Sequence, residues 1–281
     1  MNKAIILFPG FKPKAFTMSF DDDCDTNGRM VELLKKYQLK ATFNLNGGQF
    51  AKGERDGELG FAKFNNTEEE AIEMFDNEYC EIASHGYEHE CHGKIPTPDA
   101  MMDIIMDRLK LEEMFGKLVR GYVAPYGSYT DATIEIAKNA GLVYNRTCKA
   151  SNDFLLPKNW FEWNPTCSIV EDQCMDLTRK FIADPNSYYD GKLFYAWAHT
   201  YEFVNYYPWE KLEEFLKLIS FRDDIWYATN IEIYDYVNAY RSLIYYANAK
   251  KVYNPTQIDV WMGSSYGNFV IPAGQTVTLR K

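Results

Sequence analysis

Three short segments of this 281-residue chain gather the side chains best able to bind a metal or move a proton. They are Asp21-Asp22-Asp23, the run from His85 to His89, and His199. The chain has four histidines, His85, His89, His92 and His199, and all of them fall in or beside two of these segments. A spacing of four lets a helical turn or a compact loop aim both His85 and His89 at one ion. Two imidazoles plus a carboxylate leave coordination positions open, as a catalytic zinc-type site requires and a closed structural site does not. Alone, a pair of histidines four apart is as readily two surface side chains; the nearby pair of aspartates favours a metal. Nothing in the spacing draws Cys91 or His92 into the set, and both are expected to be non-ligands.

The elements around these segments would bring them together. Apolar, β-prone runs at 15–20, 40–45, 79–83, 119–124, 142–147, 193–198 and 224–229 alternate with amphipathic stretches of helical period. The helix after the first run shows Met30, Leu33, Leu34 and Tyr37 on one face; the one after the third run shows Met102, Ile105, Met106 and Leu109. Seven β-then-α units in succession predict an α/β fold, a distorted (β/α) barrel over residues 1–250. The last stretch, 251–281, reads as short strands with turns at Gly263, Gly267 and Gly274, a small β appendage packed on the barrel. In such barrels chemistry sits at the C-terminal ends of the strands. Asp21, His85 and His199 each follow a predicted strand.

Composition sets limits. Apolar residues at 46% and charged residues at 25% are ordinary for a globular protein. A net charge of −10 argues against nucleic acid and against an anionic membrane surface as partners. Six cysteines without a CxxC pair read as reduced and structural. The N-terminus has too short an apolar stretch for a secretory signal, so a cytoplasmic location is expected; if a leader has been removed, secretion is expected instead. Oligomeric state is not encoded in any pattern here.

Ser19-Phe20-Asp21-Asp22 followed by His85-Gly86-Tyr87-Glu88-His89 resembles the first two motifs of the polysaccharide deacetylases, the NodB-homology group of carbohydrate esterases. The resemblance implies that Asp21 is the catalytic base and that Asp22, His85 and His89 hold a divalent metal, zinc first, with cobalt or nickel as alternatives. Val123-Ala124-Pro125-Tyr126-Gly127 looks like the third motif, whose tyrosine backbone N–H stabilises the oxyanion; Trp197-Ala198-His199 looks like the last, whose histidine is the general acid. The implied activity is hydrolysis of N-acetyl groups on an amino-sugar-containing oligo- or polysaccharide. Alternatives are an O-acetyl esterase of the xylan type, a hydrolase of a non-sugar amide, and a non-catalytic carbohydrate-binding barrel.

Two departures stand out. Asp23 replaces the usual glycine of the first motif, and Val123 stands where the third motif usually carries an arginine that orients the catalytic aspartate. Arg146, near the end of the fifth run, is a candidate substitute, with a purely structural arginine as the equal alternative. Trp160 and Trp163 are candidates for the apolar substrate wall, with core packing as the alternative; the loop 47–66 and the stretch around these tryptophans are expected to shape substrate choice.

Overall fold

Strand β1 (Ile5–Leu7) precedes one of the two longest strands of the sheet, β2 (Lys14–Asp21), every residue of which is buried. The computed structural model describes residues 4–50, 66–185 and 191–279. In β2 the period-2 alternation divides the side chains: Phe16, Met18 and Phe20 enter the large apolar core beneath the helices, while Thr17, Ser19 and Asp21 point to the other face. After α1 (Asn27–Tyr37) come β3 (Ala41–Leu45), α2 (Glu68–Phe75), β4 (Cys80–Ser84), α3 (Thr97–Phe115), β5 (Gly121–Val123), α4 (Asp131–Asn139) and β6 (Tyr144–Arg146). Then follow β7 (Cys167–Ser168), α5 (Cys174–Ala183), β8 (Lys192–His199), α6 (Glu202–Asn205), α7 (Trp209–Ile219), β9 (Ile225–Tyr227) and α8 (Asn230–Arg241).

These strands form one parallel sheet in the order β6-β5-β4-β3-β2-β8-β7, with β9 pairing the lower half of β2. The result is an α/β fold whose sheet curls into an incomplete barrel, in agreement with the seven β/α units expected. β2 and β8 are in register along their whole length, Lys14 against Lys192 up to Asp21 against His199, so the proposed base and acid leave the sheet side by side. The interior face beneath them is polar. Thr17 and Tyr195 both bond the Asn230 side chain, and Glu81 accepts from Thr42 (2.7 Å), Tyr144 (2.8 Å) and the Ile231 N–H (2.8 Å). Burial pushes the Glu81 carboxyl up to about 7 against these donors.

α3 departs from its expected orientation. Its buried face is Ala100, Asp103, Ile104, Asp107 and Leu111, while Met102 is 53% and Leu109 57% exposed. The apolar stripe that periodicity assigns to the core faces outward, because two aspartates on the opposite face are claimed by backbone N–H groups of the loop after β4.

The C-terminal β structure starts earlier and reaches further than the span 251–281. Strands β10 (Ile244–Tyr245), β11 (Lys251–Tyr253) and β14 (Thr276–Thr278) make one small sheet. β12 (Val260–Ser264) and β13 (Gly267–Ile271) make another with the N-terminal β1, Ile5 facing Gly263. Their apolar faces share a cluster with Ala239 and Leu243, and Tyr236 of α8 bonds the carbonyls of Leu7 and Trp261.

Candidate active site and metal centre

β2 ends in a sharp turn. Asp22 adopts a left-handed backbone (φ 68°), uncommon outside glycine but better tolerated by aspartate. Its N–H bonds the Asn44 carbonyl and its own carbonyl accepts from the Asn27 side chain (3.0 Å), so the turn is held on both sides. This conformation lets Asp21 and Asp22, neighbours in a strand that would ordinarily send them to opposite faces, share one site.

Asp21 is fully engaged. Arg146 Nη2 donates to both carboxylate oxygens, and Asn44 Nδ2 donates to Oδ1 at 2.7 Å. Arg146 pairs in register with Val123 on the adjacent strand, so its guanidinium enters at the level of the valine that stands where a motif-three arginine is usual. It is completely buried and lies over the Trp197 ring, 4.4 Å from the centroid. Burial, the largest influence, would by itself raise the pKa of Asp21; the charges of Arg146, His85 and His199 together outweigh it and hold the carboxyl well below the usual range.

Asp22 is the opposite case. Its Oδ1 is buried and accepts no hydrogen bond among the described residues, although it stands 3.6 Å from His89 Nε2 and 3.9 Å from His85 Nε2. The three candidate ligand atoms lie within 4.8 Å of one another. Ligands of a tetrahedral zinc stand about 3.4 Å apart, close to the shorter of these separations. A buried carboxylate oxygen without a donor is costly, and a cation between it and the imidazoles would remove that cost. The residues therefore fit a divalent metal.

The His85 tautomer supports the same fit. Its Nδ1 lies 2.8 Å from the Val123 carbonyl, which can only accept, so the proton sits on Nδ1 and the Nε2 lone pair faces Asp22. Burial, the largest influence, lowers its pKa to about 4 despite the nearby aspartates, so the ring is neutral near pH 7. His89 also has a left-handed backbone (φ 58°) and packs against the Tyr126 ring at 4.6 Å. His92 points elsewhere: Nε2 is 2.7 Å from Asp103 and Nδ1 2.5 Å from the Tyr122 hydroxyl, so neither nitrogen is available to a metal.

His199 closes the site from β8. Its Nε2 is 4.0 Å from Asp21 Oδ2, its Nδ1 3.5 Å from Glu202, and its ring stacks on Tyr201. Burial works to lower its pKa, but Glu202, Asp21 and Asp22 together raise it above the ordinary histidine value. Tyr126 occupies a left-handed position (φ 57°) in a tight turn after β5. Gly127 and Ser128 donate back across that turn, and the Tyr126 N–H has no backbone acceptor among the described residues.

Trp160 and Trp163 do not wall this site. Trp163 is 1% exposed, sandwiched among Tyr144, Tyr195 and Trp160, and the Trp160 indole donates to Asn238 of α8. Both belong to the core between the sheet and α8. The tryptophan at the site is instead Trp197, whose ring lies 5.6 Å from His199. Residues 51–65 of the loop expected to influence substrate choice lie outside the described residues. Asp23 is buried and accepts from Asn66 (2.8 Å), tying down the start of the α2 segment.

Sequence reasoning missed Asn44, Asn46, Asp103, Asp107 and Glu202. The Asp103/Asp107 spacing of four, opposite a methionine stripe, was the available signal, but periodicity reads such a face as solvated. All six cysteines are free, and no helix among the described residues is long and apolar enough to cross a membrane.

The family model described as polysaccharide deacetylase matches residues 9–145, from the approach to β2 through most of β6. The peptidoglycan deacetylase of Helicobacter pylori is 29% identical over 132 residues. That similarity spans 45% of this chain and only 38% of the H. pylori protein. A crystal structure from Mycobacterium smegmatis, assigned to the polysaccharide deacetylases, shares the fold with a TM-score of 0.60 at 16% identity. The match covers 86% of this chain and 96% of that one.

Proposed function

We propose that this chain, whose residues 9–145 match the polysaccharide deacetylase family, is a metal-dependent hydrolase of that family, removing N-acetyl groups from an amino-sugar-containing saccharide and releasing acetate. The observation carrying this reading is the pairing of two unlike aspartates. Asp21 is clamped by Arg146 and Asn44 opposite His199, and Asp22 presents an unpartnered oxygen to two histidine nitrogens. A divalent cation held by Asp22, His85 and His89 would supply Lewis acidity and lower the pKa of water, which lets a carboxylate as weakly basic as Asp21 serve.

Asp21, kept ionised by Arg146, takes the proton of the water that attacks the acetyl carbonyl. The Tyr126 N–H donates to the oxyanion that develops. His199, on the far side of Asp21 and with its pKa raised by the charges of Glu202, Asp21 and Asp22, gives its proton to the departing nitrogen, without which an amide does not release an amine. Trp197 offers an aromatic face beside these groups. An acetate-release screen over acetylated chito-oligosaccharides and acetylated xylan, with and without chelator, tests this reading. Release from the amino sugars, abolished by chelator and restored by zinc, supports it. Release from xylan alone, little affected by His199→Ala, points to an O-acetyl esterase instead. No release from any substrate by protein that also takes up no zinc, cobalt or nickel would reject catalysis.

A further inference from the structure

We propose that Asp107, in the middle of α3, is a positioning residue of the metal centre: it fixes the backbone from which His85 reaches the ion. This rests on the reading of Asp22, His85 and His89 as metal ligands.

Asp107 is completely buried, and its carboxylate meets four donors from the end of β4 and the loops after β3 and β4. Oδ2 accepts from the Ser84 hydroxyl (2.5 Å), the His85 N–H (2.9 Å) and the Gly86 N–H (3.0 Å). Oδ1 accepts from the Gly47 N–H (2.6 Å) in the loop after β3. A carboxylate withdrawn from water is costly unless its acceptor sites are filled, and here backbone amides of a candidate ligand and its neighbours fill them. The other side of the same peptides is held as well: Asn46 Nδ2 donates to the carbonyls of His85 (2.7 Å) and Gly86 (2.9 Å). The His85 main chain is thus gripped at both its N–H and its C=O.

Asp103, one turn earlier on the same helix, fixes the far end of the segment. It accepts from the Glu88 N–H (2.7 Å) and from His92 (2.7 Å). Between the two clamps Gly86 takes φ +81°, and a Cβ there would come within 2.6 Å of Asp103 Oδ2. The segment can therefore lie against α3 only with glycine at that position.

Nothing about Asp107 touches the reacting atoms; its effect passes through the direction of the His85 ring. A ligand whose support is loosened binds its metal more weakly, typically by about 10- to 100-fold when a supporting partner is lost. Asp107→Asn keeps the shape but must turn an NH₂ toward backbone N–H groups on one side or the other. Ser84→Ala removes a single donor and leaves the carboxylate in place, a milder variant if Asp107→Asn folds poorly.

The test measures zinc affinity by competition with a chromophoric chelator, and the visible spectrum of the cobalt-loaded protein, for wild type and both variants. Thermal melting runs in parallel. The expected result is about tenfold weaker zinc binding in Asp107→Asn, a smaller loss in Ser84→Ala, and altered cobalt bands in both, with the folded state retained. Wild-type zinc affinity and cobalt bands in both variants, with only the melting temperature lowered, would make Asp107 merely structural and overturn the proposal alone. Wild-type protein that binds neither ion would overturn the reading of the metal site, and this proposal with it.

Discussion

The two halves of the site differ in how their charges are met. On the proposed proton-handling side, contributed by β2, β3, β6 and β8, Asp21 has its oxygens met by Arg146 and Asn44, and His199 lies against Glu202. On the other side, between β2 and the loop after β4, Asp22 leaves a buried oxygen without a donor among the described residues, facing two imidazole nitrogens. Consecutive residues thus live in opposite electrostatic conditions. A preorganised proton acceptor needs its orientation locked before substrate arrives; a metal ligand needs an open lone pair. In the proposed reading, the left-handed turn at Asp22 is what divides one Asp-Asp dipeptide between these tasks.

The contrast can be broken from the proton-handling side first. Arg146→Met leaves the buried Asp21 without its cation and is expected to destabilise the fold by about 3–5 kcal/mol in urea unfolding. Adding Asp21→Asn should recover part of that loss. Equal stability of the single and double variants would mean that the guanidinium does not serve Asp21.

A smaller effect is expected at Glu202. In the proposed mechanism His199 acts as an acid in its protonated form, so turnover should fall as pH rises through its pKa. Glu202, with Asp21 and Asp22, lifts that pKa above the ordinary value. Glu202→Gln should therefore move the alkaline limb of the pH–rate profile to lower pH, compared at equal metal loading. A limb that stays put would assign it to another group.

The smallest effect is expected outside the site, on α3. Met106→Gln on the outward face should change stability by no more than about 0.5 kcal/mol. A loss of about 2–5 kcal/mol, as for a core methionine, would mean that the helix turns its methionines inward after all.

Much of the fold was legible because its strands alternate with amphipathic helices, and each of the seven expected runs lies on an observed strand. What periodicity could not see was polar burial. The α3 face was misassigned because the helical spacing of apolar side chains takes no account of backbone N–H groups waiting in the next loop. The same blindness put Trp160 and Trp163 at the substrate: their chemistry suits a sugar, yet Trp163 fills a gap among Tyr144 and Tyr195. The candidate ligands could be named from motif and strand-end position. Arg146 could be only a candidate, because its pairing with Val123 depends on a strand register that no local pattern fixes.

The division between the two aspartates is tested most directly by Asp21→Asn, with bound zinc and released acetate measured on the same preparation. Zinc should remain bound at one ion per chain with near wild-type affinity, while turnover drops by about 10²–10⁴-fold, as loss of a general base requires. A folded Asp21→Asn protein that no longer holds zinc, or one that still releases acetate at the wild-type rate, would contradict it.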